Sequence, residues 1–205
     1  MKAPEQLKGE ALVAFSTRLA SASPLHAGLL ADSPTEARTV EAPSAFGSTV
    51  VYDVMIHARQ RPVEMLVADA GGELIVLGDP TRVDALAHRV GLQLRTRDEV
   101  ADFLRFWCRA ATRHTERLVE SAADFQWIPG VTTDPDLRAQ ADRAAHLARR
   151  IAVGHPAAGA FPAEGTMLEQ RTLPLRRLRV TTDGHVAEID RQALTDGVPV
   201  PYVIP

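Results

Sequence analysis

The sequence predicts an α+β protein: a mostly antiparallel sheet of about four to six strands, three or four helices packed on one face, and a C-terminal β-hairpin. Three observations carry that expectation. Strand-like runs cluster between residues 48 and 78, and three helix starts with good cap chemistry follow between 79 and 136. Strand-like sequence then returns around a turn at Asp183-Gly184. Strands, then helices, then strands do not read as alternating parallel βαβ units.

Residues 5–20 predict a first helix, with Leu7, Ala11, Phe15 and Leu19 spaced by fours and Arg18 interrupting that face. Residues 21–47 are rich in Ser, Pro, Ala and Gly and read as loop, with a short strand near Arg38 to Glu41. Residues 48–58 (STVVYDVMIHA) are β-branched and aromatic, and residues 63–78 are two apolar runs joined at Gly71-Gly72. Glycine tolerates the positive φ of a tight hairpin, so a turn is expected there.

Asp79 and Pro80 open the next helix, which presents Val83, Leu86, Ala87 and Val90 on one face and ends at Gly91. Thr96 and Glu99 have capping-box spacing, and the helix they open is expected to run to about Glu120. Asp134-Pro135 starts an alanine-rich helix to about Ala152, with Leu137, Ala141, Ala144, Ala148 and Ile151 aligned. These readings divide the chain into an α+β core at 1–152, a Pro/Gly/Ala linker at 153–166, and a hairpin with a proline-rich tail at 167–205 packed on the same domain. No internal repeat is visible at 20–50-residue periods.

Composition excludes several chemistries. The 205 residues contain 23 Lys plus Arg against 26 Asp plus Glu, a formal charge of −3, so no global attraction to nucleic acid or an anionic membrane is expected. No apolar run approaches the ~18 residues of a spanning helix, and the N-terminal stretch has no signal-peptide core. The single cysteine, Cys108, fits a reducing compartment, so a cytoplasmic protein is expected. The only lysines are Lys2 and Lys8, and asparagine is absent, a bias typical of a GC-rich, bacterial-like genome. A Schiff-base lysine, a Walker A loop and a Cys-His-Asn triad are thereby disfavoured. Neither a cofactor nor a metal is called for, because the histidines are scattered and His185 and Glu188 fall on opposite faces of a strand.

The residues that remain have two readings each. On the helix opened by Thr96, Val100, Phe103, Leu104, Trp107, Ala111, His114 and Leu118 fall on one arc at about 100° per residue. His114 is then a core histidine or an acid/base group in a pocket. Arg105, Arg109 and Arg113 fall opposite, either as a solvated face or as a site for a small anion. Phe106 on that polar side suits a face covered by another segment or a partner. Cys108 at mid-helix reads as core packing, since nothing in the sequence lowers its pKa.

Asp53 and His57 share a strand face about 13 Å apart, too far to chelate one metal but able to line one cleft. The basic run at 176–180 is expected to pair with acids across the sheet. Trp127 anchors its loop or walls a binding site.

Two functions follow. The first is a cytosolic, non-catalytic binding or assembly protein using Arg105, Phe106, Arg109 and Trp127 toward a protein partner, a second copy or a small anionic ligand. The alternative is a small cofactor-independent isomerase, cyclase or lyase with Asp53, His57 or His114 as acid/base. The missing catalytic motifs favour the first.

Overall fold

The computed structural model describes residues 4–112 and 116–201. The class is α+β as expected, with antiparallel sheets and a C-terminal hairpin. The strands divide between two sheets, and the chain divides into two compact units, residues 1–92 and 93–205.

The first unit opens with residues 5–7 running beside the first strand, where the Leu7 and Thr39 amides bond to Ala37 and Glu5 carbonyls. Two helices follow, α1 (Gly9–Ala22) and α2 (Pro24–Asp32). The second of these is a correction to the loop expected over 21–47. Nine residues containing Gly28 give a weak helical pattern, yet Pro24 at the first helical turn marks a start.

A four-stranded meander comes next: β1 (Thr35–Val40), β2 (Val50–Ile56), β3 (Val63–Ala70) and β4 (Glu73–Val76). The β3–β4 turn is Gly71-Gly72, with φ of 65° and 91°, and the Asp69 carboxylate accepts the Gly72 amide at 3.0 Å. Phe15 and Leu19 of α1 pack with Ala37, Val54, Ile56, Met65, Val67 and Leu74 in this unit's core. Arg18, which interrupts the apolar face, reaches over the sheet end to Asp69 (2.8 Å) and the Gly72 carbonyl (2.9 Å). Helix α3 (Pro80–Arg89) then packs on β3 and β4, its first turn capped by Asp79 as expected.

The second unit begins with α4 (Arg97–Ala111), whose Thr96–Glu99 capping box is formed in both directions. The Arg95 and Thr96 amides hold the Glu99 carboxyl below its ordinary range. The helix stops at Ala111 rather than continuing to Glu120. The Thr112 hydroxyl lies within hydrogen-bonding reach of the Cys108 and Glu116 carbonyls, and residues 116–118 form β5 (Glu116–Leu118) instead.

Helix α5 (Pro135–Leu147) also ends early, because the Arg149 amide is taken by the Thr166 hydroxyl at 2.9 Å. The expected linker at 153–166 is largely strand: β6 (Ala152–Val153) pairs with β7 (Ala160–Glu169). β8 (Leu173–Thr181) and β9 (Val186–Thr195) complete the sheet, in the order β5-β7-β8-β9.

Leu173, Leu168, Val119, Phe125 and Ala144 form a core in this unit with Val198 and Val200 of the proline-rich tail. The first unit's sheet is a consecutive meander, whereas α5 and β6 intervene between β5 and β7 in the second.

Candidate functional site

The residues singled out in the sequence are mostly engaged within the chain. Asp53 is buried on β2 and accepts Arg38 Nε (3.2 Å) and Nη2 (2.7 Å) from the facing position on β1. That carboxylate raises the Arg38 pKa. His57, just beyond β2, is exposed and lies 3.2 Å from the Glu36 carboxylate. Each of these two acid/base candidates therefore has a charged neighbour on β1. His114 lies outside the described residues, as does Arg113.

Arg105, Phe106, Arg109 and Trp127 belong to the second unit. Arg105 bonds Glu120 through Nε (2.8 Å) and Nη2 (3.0 Å) and Asp102 through Nη1 (2.8 Å). The Glu120 hydrogen bond is the main cause of its raised pKa. Phe106 is buried, so it offers no open surface, whereas Arg109 is exposed. Trp127 is half-buried and stacks on Phe125 with ring centroids 4.6 Å apart and planes 6° from parallel, against the second unit's core.

The basic run at 176–180 pairs with acids, as expected. Buried Arg176 meets Glu116 (2.8 Å), Glu188 (3.2 Å) and Glu169, while Arg177 bonds Asp190 at 2.8 Å. Cys108 is buried in α4, and that burial pushes its thiol up to about 12. Among the described residues no cluster of three or more His, Cys, Asp or Glu is arranged to hold a metal ion. No described helix is long and apolar enough to cross a membrane.

One concave feature was missed by the sequence reading. A groove of about 620 Å³ runs between α1 and α2. From α1 it is lined by Leu12, Val13, Ser16, Thr17, Ala20 and Ser21, residues three and four apart on one helical stripe. From α2 come Ala27, Leu30 and Ala31, and Ser33 and Thr35 close the set.

The small side chains keep the two helices from filling the space between them. Two of the hydroxyls are turned onto their own helix: Thr17 donates to the Val13 carbonyl at 3.0 Å and Ser21 to the Thr17 carbonyl at 3.2 Å. Thr35 likewise donates to Ser33 at 3.3 Å. Their donor protons are therefore spent on backbone, and no ionisable side chain lines the groove. Val13 stays 67% exposed at its lip.

The sequence held a trace of this site. The Ser and Ala residues that lowered the apolar weight of α1 are those that open the space. The missing half was α2, and without it α1 had no facing wall. No family model, curated protein or solved structure matches the chain.

Proposed function

We propose that this is a non-catalytic binding protein that takes an uncharged, apolar ligand or side-chain cluster into the groove between α1 and α2. The observation that carries the reading is the chemistry of the lining, which consists of Leu, Val, Ala, Ser and Thr. Acid/base catalysis needs a titratable group within reach of the reacting atoms, and this lining offers none. A volume of about 620 Å³ lies inside the range of small-molecule sites, which are predominantly apolar with few polar groups. An anionic ligand fits this groove poorly, because no cation lines it to offset the lost hydration. The lone buried cysteine supports a reducing, cytoplasmic setting for this binding.

Native mass spectrometry of gently purified protein tests the reading. A neutral, removable mass on the chain that is lost in an Ala20→Glu variant supports it. A mass retained equally by that variant places the ligand elsewhere and overturns it.

A further inference from the structure

We infer that two copies of this chain pair through β9, strand to strand and antiparallel, about a two-fold axis at the Ile189–Asp190 bond. β9 is ten residues long and pairs only with β8 among the described residues, so its outer backbone edge is open. The other sheet ends offer little: β4 has four residues, β5 has three, and residues 5–7 run beside β1. Residues 188–193 are all exposed, and Ile189 is 63% exposed. A long open edge is a template for another strand.

The bulge in β9 decides which strand and which register. Leu178 faces Glu188, Arg177 faces Asp190, and Arg176 faces Arg191, so one extra residue is inserted at Ile189. Glu188 and Arg191, three apart, consequently project from the same sheet face, the face that carries Arg176. In an antiparallel pair centred between Ile189 and Asp190, Glu188 of each copy stands opposite Arg191 of the other, on matching faces. Val186 then stands opposite Ala193 and Ala187 opposite Gln192.

Shorter or longer registers are penalised. Moving the centre to Ile189 sets Glu188 against Asp190, and moving it to Asp190 sets that carboxylate against its own copy. Like charges directly opposite destabilise a strand pair, so both of these neighbouring registers are disfavoured.

The same pairing extends a charge network already present in one chain. Arg176 binds Glu116, Glu169 and Glu188, and Arg191 binds Glu169. Glu188 and Arg191 are 38% and 45% exposed, so each retains room for a second partner. In the dimer the alternation closes as Glu169, Arg191, then Glu188 and Arg176 of the other copy.

The test is sedimentation velocity of wild-type chain and two charge reversals, Glu188→Arg and Arg191→Glu, with thermal melts confirming that each folds. The wild type is expected to dimerise, with Kd raised roughly tenfold or more in each single variant because two favourable pairs become two repulsive ones. An equimolar mixture of the two variants is expected to recover dimer, since every crossed pair is then again Arg against Glu. A wild type that stays monomeric up to millimolar concentration overturns the inference. So does a dimer indifferent to both reversals, or a mixture that recovers nothing.

Discussion

Arg105 and Glu120 form a two-bond ion pair, Nε to Oε2 at 2.8 Å and Nη2 to Oε1 at 3.0 Å. The same Oε1 also accepts the Ile151 amide at 3.1 Å. One carboxylate thereby ties α4 to the segment after β5 and to the segment leading into β6. The Arg105 hydrogen bond is the main cause of a Glu120 pKa below the ordinary 4.5. A carboxyl depressed in the folded state stabilises above the unfolded pKa, and that contribution fades as pH falls through the folded value. Glu120→Gln is expected to cost about 1–2 kcal/mol at neutral pH, with the half-exposed arginine screening part of the pair. Urea unfolding from neutral pH down to below the folded pKa of Glu120 is expected to show the two proteins converging in acid.

Trp107 is 7% exposed on α4, and its indole N–H meets no acceptor among the described residues. Trp107→Ala is expected to cost about 3–5 kcal/mol through lost contacts and a cavity. Trp107→Phe is expected to cost under about 1.5 kcal/mol, since removing an unpaired buried donor offsets part of the lost volume. Chemical denaturation of both variants checks the order. Equal losses contradict the unpaired indole.

Thr166 is fully buried on β7, where its hydroxyl donates to the Val119 carbonyl at 2.6 Å and accepts the Arg149 amide at 2.9 Å. Thr166→Val keeps the shape and strands both backbone groups, so a loss of about 1–3 kcal/mol is expected. Thr166→Ser keeps the hydroxyl and is expected to lose less. Thermal melts of the pair distinguish a hydrogen-bond role from a packing one.

Cys108 is expected to be inert in the native state, because burial raises its thiol to about 12 and leaves almost no thiolate at neutral pH. Labelling by a disulfide reagent is expected to proceed only through opening of the structure and to accelerate in mild denaturant. Rapid stoichiometric labelling without denaturant contradicts the burial.

Local chemistry was the legible part of this chain. The Asp79 and Thr96 caps, the Gly71-Gly72 and Asp183-Gly184 turns and the buried face of α4 are encoded within a few residues, and the structure realises them. The ends of α4 and α5 were misread because the groups that stop them are distant. β5 is set by pairing with β7, and the Arg149 amide by Thr166. α2 was hidden by Gly28 and a short run of weak helical contrast. The candidate groove needed that helix as its second wall, so only the α1 half of its lining could be read. Asp53 looked available because its counter-ion Arg38 lies fifteen residues away, and Glu120, the two-bond partner of Arg105, is equally distant in sequence although Asp102 is near.

The most direct test of the binding assignment is a titration of N-phenyl-1-naphthylamine, an uncharged apolar fluorophore, into wild type and the Ala20→Glu and Ala27→Trp variants. A carboxylate or an indole placed in the groove removes its apolar volume while leaving the Phe15 and Leu19 core contacts alone. Saturable fluorescence enhancement in the wild type, lost or weakened at least tenfold in both folded variants, is the predicted result. Enhancement that is absent from the wild type, or unchanged when the groove is filled or charged, contradicts it.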